Sequence, residues 1–300
     1  MKRFHLKYLM TAVIMCIMWT NGYCNDDDYD VYLLIGQSNM AGRGEFEPED
    51  TVGSVDGVWL LNPEGIPEKG AAPFNKYSSI RKDLRLQGFS PANSFSKLMH
   101  ARSGRKILLV VNAKGGSSIM SWQPQHKDGF LNEAVRRTRQ AMLHGKLKGI
   151  LWHQGETNVQ KKTPDYAGKF KTMITALRDS LGNGDTPVVI GQLGQWGWAP
   201  EDDIRIFNDS IVPAICREVR NCGYVTSDGL GRLFKDKPHD PHFNRKAQIE
   251  LGRRYADAIT TLSDSTDMTS AVKQMAQCLY ISKGNGAWPS LTPCPAHNQM

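Results

Sequence analysis

Three hundred residues, 40% hydrophobic and 22% charged, exclude a fibrous or disordered chain and leave enough apolar mass for one large domain or two small ones. The formal net charge is +7, of which residues 1–24 carry three positives (Lys2, Arg3, Lys7) and no acid, so the remainder stands at +4. Its basic residues are scattered rather than clustered, which argues against a nucleic-acid partner. None of the six cysteines is paired at CxxC spacing, which argues against a zinc site.

The chain opens on a positive stretch followed by an apolar run, Tyr8 to Trp19, too short to span a bilayer, and then by small and polar residues. This is the profile of a signal peptide over 1–24, with cleavage near Gly22–Cys24, and it predicts a secreted or periplasmic protein with no membrane span once processed. Five cysteines then remain, and Cys216 and Cys222 are close enough in sequence to close a small loop.

From there strands and helices alternate. Asp30 to Ile35 is a continuous apolar run ending at Gly36, the pattern of a strand buried on both faces. Residues 53–89, with scattered Gly and Pro, read as an insertion or long loop at the edge of the site. Ser90-Pro91 opens a helix to about Ala101, with Ser90 as N-cap and Pro91 at the first helical position. A strand over Lys106–Val111, a helix over Asn132–Leu143 and a strand over Leu147–Trp152 follow. Next come a helix over Pro164–Leu181, a strand over Pro187–Ile190, a helix over Asp209–Val219 and a short strand at Tyr224–Thr226. Arg245 to Thr261 is the final helix. Residues 263–300, rich in Ser, Thr, Gly and Pro, show no periodic apolar face and are expected to be a poorly structured tail.

Such alternation predicts one α/β domain over 25–262: a three-layer α/β/α sandwich with a mostly parallel sheet. Ligand sites on these sheets lie beyond the carboxyl ends of the strands, which selects Gly36–Gly44, Asn112–Ser118 and His153–Asn158. In the first, Ser38 follows a buried strand and a glycine, a geometry that exposes a hydroxyl beside the free amides of a helix start. A nucleophilic serine needs a base. Among eight histidines, His242 stands just before the last helix with Asp240 two residues upstream. Gly115-Gly116 permits close backbone approach to a ligand. Gln154 offers a side-chain donor, and Glu156 a nearby acid. Trp122, Trp196 and Trp198 follow sheet-edge segments and are either sugar-stacking or core residues.

In the order GQSNMAGRG, NAKGGSSI, WHQGETN and DPHFN, these blocks resemble the carbohydrate esterase family 6 acetylxylan esterases and their sialate O-acetylesterase relatives, within the SGNH-hydrolase superfamily. The resemblance runs from about Asp30 to Thr260. It implies a flavodoxin-like SGNH fold and a serine esterase that removes acetyl groups from polysaccharide or sialic acid without metal or cofactor. It further implies Ser38 as nucleophile, His242 as base, and Gly116 (or Gly115) with Gln154 as the oxyanion hole. Asn39, Gly115 and Trp122 are then expected to contact substrate. The acid is open: much of the superfamily places Asp three residues before the histidine, where this chain has His239, so Asp240 and Glu156 compete. The missing spacing also supports a second reading, a carbohydrate-binding protein that kept the fold and lost catalysis.

Overall fold

The computed structural model describes residues 29–284 apart from 82 and 238, with side chains as far as 265. The expected signal peptide and the end of the expected tail lie outside the described residues. A seven-stranded sheet has the order β3-β2-β4-β1-β5-β6-β7. Its strands are β1 (Tyr29–Gly36), β2 (Val58–Leu61), β3 (Pro67–Lys69), β4 (Ile107–Ala113), β5 (Gly145–His153), β6 (Val188–Gly191) and β7 (Cys222–Val225). All pairs are parallel except β2 with β3.

The central strands are apolar because both faces are covered. Seven of the eight residues of β1 and all seven of β4 are buried. Each fully buried aliphatic side chain stabilises by roughly 1.5–3 kcal/mol relative to an exposed one. One face packs under α3 (Phe130–Met142) and α5 (Tyr166–Leu181), around Trp122, Trp152 and Phe170. The other packs under α2 (Pro91–Ser103) and the last helix, α8 (Arg245–Gly284), around Phe95, Tyr255 and Phe243. Short helices α1 (Ser38–Ala41) and α4 (Glu156–Gln160) start at the ends of β1 and β5. Between β6 and β7, α6 (Glu201–Ile206), a π-helical turn (Phe207–Ile211) and α7 (Val212–Glu218) form one irregular helix that starts earlier than the sequence pattern predicts. Cys216 and Cys222 sit where α7 meets β7, as thiols with sulfur atoms 3.1 Å apart.

Two expectations change. Residues 53–89 are not one long loop: β2 and β3 extend the sheet, and Asn75 is tied to both backbone groups of Ala113. Only the segment after β3 reaches the site. The last helix continues to Gly284 rather than ending near Thr261, because no Gly or Pro interrupts residues 253–283. Its Ser and Thr side chains return hydrogen bonds to carbonyls one turn back, as Ser263 does to Ile259 O at 2.9 Å.

Candidate active site

The three selected loops meet because the strands that carry them end abreast. Gly36 is the partner of Ala113 on one side and of His153 on the other. Only glycine fits at 36: its φ is +137°, and a Cβ there would lie 2.1 Å from His153 O. The chain can therefore turn hard into α1, whose first residue is Ser38.

His242 Nε2 lies 2.9 Å from Ser38 Oγ. On the far side of the ring, Nδ1 lies 3.0 Å from Asp240 Oδ1 and 3.1 Å from Oδ2. Asp240 Oδ1 also accepts the His242 backbone N–H at 2.9 Å. This explains how the acid reaches the imidazole across Pro241. An Asx-type bond from the N–H two residues ahead holds the Asp240 side chain against the ring. Trp196 Nε1 fixes the same loop by donating to Asp240 O at 2.8 Å. Burial lowers the His242 pKa below its ordinary 6.5, partly offset by the Asp240 carboxylate. A neutral imidazole with Nδ1–H facing Asp240 has its lone pair toward Ser38, the arrangement that can take a hydroxyl proton.

A pocket of about 690 Å³ opens over this group, lined by Ser38, Gly115, Gly116, Glu156 and His242 among others. Neither the N–H of Ser38, which begins a helix, nor that of Gly116 has an acceptor among the described residues. Gly116 holds a φ of +71°.

Five candidates occupy other positions than a role at the reacting atoms or on substrate would need. Gln154 does not line the pocket. It is wholly buried, and its Nε2 is spent on Gln37 Oε1 (3.1 Å), Ser117 O (3.0 Å) and Asn158 Oδ1 (2.5 Å), so it braces the loops beneath the site. Trp122 is also wholly buried: the 3₁₀ turn Ile119–Trp122 carries its indole into the core against Trp152 and Phe130, at ring distances of 5.2 and 5.5 Å. Trp198 is buried likewise. Asn39 is buried and bonds only to protein groups. Glu156 does not bond the His242 ring; its Oε1 accepts from Asn39 Nδ2 at 2.6 Å. Burial raises its pKa to about 7, against hydrogen bonds that lower it. Near it, His153 Nδ1 lies 3.0 Å from Tyr255 Oη, and burial pushes that imidazole down to about 3.

The model of the family described as carbohydrate esterase, sialic acid-specific acetylesterase matches residues 28–261. The chain belongs to this family. A probable carbohydrate esterase of Arabidopsis thaliana is 25% identical over 247 residues, covering 76% of this chain and 89% of the relative. A solved structure of an Arabidopsis thaliana protein superposes with a TM-score of 0.66 at 23% identity, covering 78% of this chain and 98% of that one. NanS gives 0.60 at 18% identity, covering 80% and 98%. A carbohydrate acetylesterase from Xanthomonas citri gives 0.54 at 19%, covering 79% of this chain and 56% of that one. These likenesses carry the fold, an SGNH-hydrolase-like α/β sandwich.

Sequence reasoning missed the basic wall of this carbohydrate esterase pocket. Arg43, Arg81 and Arg85 all line it. A Cβ added to Gly115 would lie 2.6 Å from Arg43 Nη2 and 3.4 Å from Ser38 Cβ, so the guanidinium and the serine both border Gly115. Arg43 Nη1 donates to Gly42 O and to Leu86 O, and burial, with Arg81 nearby, lowers its pKa to about 10. Arg85 is paired with Asp83, whereas Arg43 and Arg81 have no carboxylate ion-pair partner among the described residues. The available signal was the GRG that closes the first block, where an arginine follows the serine turn.

Proposed function

We propose that this carbohydrate esterase removes acetyl groups from a carboxylate-bearing sugar, using Ser38, His242 and Asp240 and an acetyl-enzyme intermediate. The observation that carries the reading is the unbroken chain from Ser38 Oγ to His242 Nε2 at 2.9 Å and from His242 Nδ1 to Asp240 at 3.0 Å, at the pocket wall. The Ser38 proton passes to Nε2 as Oγ bonds to the acetyl carbon, and the carbonyl electron pair moves to oxygen. The N–H groups of Ser38 and Gly116 receive that oxyanion, and Asp240 stabilises the imidazolium. Collapse breaks the bond to the sugar oxygen, which leaves with the proton from Nε2. Water then repeats the cycle and releases acetate.

Arg43 and Arg81 support the acidic substrate. Unpaired guanidiniums in a pocket favour a planar carboxylate, which they bind through two parallel N–H bonds. The family's sialic acid-specific description agrees with this, and an acetylated pectin has the same charge. The signal-like profile of residues 1–24 supports export, where such glycans are met. The missing Asp-x-x-His spacing, the support for a non-catalytic binding protein, is offset by Asp240 bonding the ring from two residues away.

The test is acetate release from O-acetylated sialic acid, acetylated pectin and acetylated xylan, with wild type and Ser38→Ala. Wild type is expected to favour the acidic substrates, and Ser38→Ala to lose activity by several orders of magnitude at unchanged Tm. Persistent activity in Ser38→Ala would overturn the serine mechanism, and preference for neutral xylan would overturn the acidic-sugar reading.

A further inference from the structure

His242 comes from a loop, not from a strand or helix. Holding its ring 2.9 Å from Ser38 Oγ requires fixing the backbone on both sides of it. Asp240 Oδ1 holds the His242 N–H and the Leu233 N–H holds His242 O at 2.7 Å, and the group that reaches both of these peptides from the serine side is the side chain of Asn39, the residue next to Ser38. Its Nδ2 donates to Pro241 O at 3.1 Å, and its Oδ1 accepts the Phe243 N–H at 3.2 Å. Those two groups belong to the peptide units immediately before and after the His242 Cα. One carboxamide therefore ties both of them to the start of α1, where Ser38 sits.

The orientation of that carboxamide is over-determined. Glu156 Oε1 and Pro241 O are acceptors and require the NH₂ end, at 2.6 and 3.1 Å. The Phe243 N–H and Gln248 Nε2 are donors and require the oxygen end, at 3.2 and 3.4 Å. Turning the amide over would set acceptor against acceptor and donor against donor in a site with no water access, since Asn39 is 0% exposed. Glu156 is needed here only as an acceptor, so its charge is dispensable to the bond.

We propose that Asn39 and Glu156 are positioning residues that set the Ser38–His242 distance, Asn39 by clamping the peptides on either side of His242 and Glu156 by orienting the Asn39 amide. The proposal rests on the Ser38–His242 reading above. Neither residue touches substrate in this role, which distinguishes it from a Glu156 that orients the imidazole itself.

The experiment measures kcat and KM on p-nitrophenyl acetate, which has no sugar to bind, together with pH profiles and Tm. The variants are Ser38→Ala, Asn39→Ala, Asn39→Asp, Glu156→Ala, Glu156→Gln and the Asn39→Ala/Glu156→Ala double variant. Asn39→Ala is expected to lower kcat on the order of 10²-fold, the cost of a misplacement of about 1 Å, with KM nearly unchanged. The acid limb of kcat/KM should rise toward 6.5 as the His242 ring is released into water. Glu156→Gln, which keeps the acceptor, should restore most of the kcat lost in Glu156→Ala, and the double variant should be no worse than Asn39→Ala. If Asn39→Ala fails to fold, Asn39→Asp, which is nearly isosteric but as a carboxylate has no donor for Pro241 O, should show the same kcat loss. Asn39 variants with kcat within threefold of wild type, additive losses, or an unmoved acid limb would overturn the clamp. So would a Glu156→Gln loss equal to that of Glu156→Ala. An active Ser38→Ala would instead overturn the serine reading itself.

Discussion

Replacing Asp240 by asparagine tests the site most sharply, because both carboxylate oxygens are in use. Oδ1 takes the His242 backbone N–H at 2.9 Å and stands 3.0 Å from the ring Nδ1, and Oδ2 stands 3.1 Å from the same Nδ1. An asparagine puts an NH₂ donor in place of one of these two oxygens. If its oxygen faces the ring, its NH₂ opposes the backbone N–H, leaving a part-buried donor unsatisfied at a cost of about 1–3 kcal/mol. If its oxygen keeps the Oδ1 position, the oxygen can still take the backbone N–H, but the NH₂ now stands 3.1 Å from Nδ1 and opposes an Nδ1–H, a conflict relieved when the imidazole moves its proton to Nε2 and accepts from the NH₂. That proton then points at Ser38, and the base is lost. The second arrangement avoids the unsatisfied donor and is the one expected to dominate. A wrong-tautomer histidine in serine proteases lowers kcat roughly 10⁴-fold, which corresponds to about 5.4 kcal/mol in the barrier. The assay is kcat/KM on p-nitrophenyl acetate from pH 5 to 9, with Tm measured in parallel. Wild type should show an acid limb below 6.5, since burial lowers the His242 pKa and the neutral ring is the active form. A loss below tenfold in Asp240→Asn, or an equal loss in Glu156→Gln, would refute the assignment of Asp240 as the partner.

Arg43→Ala should raise KM for an acidic acetylated sugar by tenfold or more while leaving KM for p-nitrophenyl acetate nearly unchanged; equal effects on both would show that the guanidinium acts on the serine and not on a substrate carboxylate. Trp122→Ala should lower stability by about 3–5 kcal/mol through loss of buried area and a cavity, read as a lower denaturation midpoint, and a variant of native stability with weakened sugar binding would return Trp122 to the pocket. Glu156 has a folded pKa of about 7 against an ordinary 4.5, so the folded state holds its proton longer and this group's contribution to stability falls as pH rises from about 4.5 to 7. The Tm of Glu156→Gln relative to wild type should therefore climb across that window and level off above it, and a difference constant with pH would show that Glu156 stays ionised.

What the sequence made legible is what depends on backbone pattern. The apolar runs of β1, β4 and β5 mark buried parallel strands without ambiguity, and once they are assigned, the loops that follow them must meet. Ser38 was legible for that reason, and His242 by its place just before the last helix with Asp240 two residues upstream. Side-chain direction was not. Gln154 and Glu156 stand two residues apart in the same loop, yet one turns under the strand ends into a closed network and the other lines the pocket. Trp122 reads identically as a stacking or a core residue until the 3₁₀ turn that carries it is known. β2 and β3, four and three residues long among Gly and Pro, are too short for a period-2 pattern to register. The length of α8 was underestimated because Ser and Thr suggest a helix end, while their hydroxyls here bond back to the helix's own carbonyls.

The reacting groups and part of the charged wall come from different parts of the chain. Ser38, Gly116 and the braces beneath them are fixed to the ends of three adjacent central strands, where Gly36 admits no other residue. Arg81, Arg85 and Gln87 belong to the excursion between β3 and α2, which meets the site from outside the sheet. Arg43 belongs instead to the serine loop, so only the outer part of the wall is separable from bond breaking. Exchanging residues 81–87 for a segment of different charge would therefore alter that outer part of the wall while the groups at the sheet edge keep their spacing.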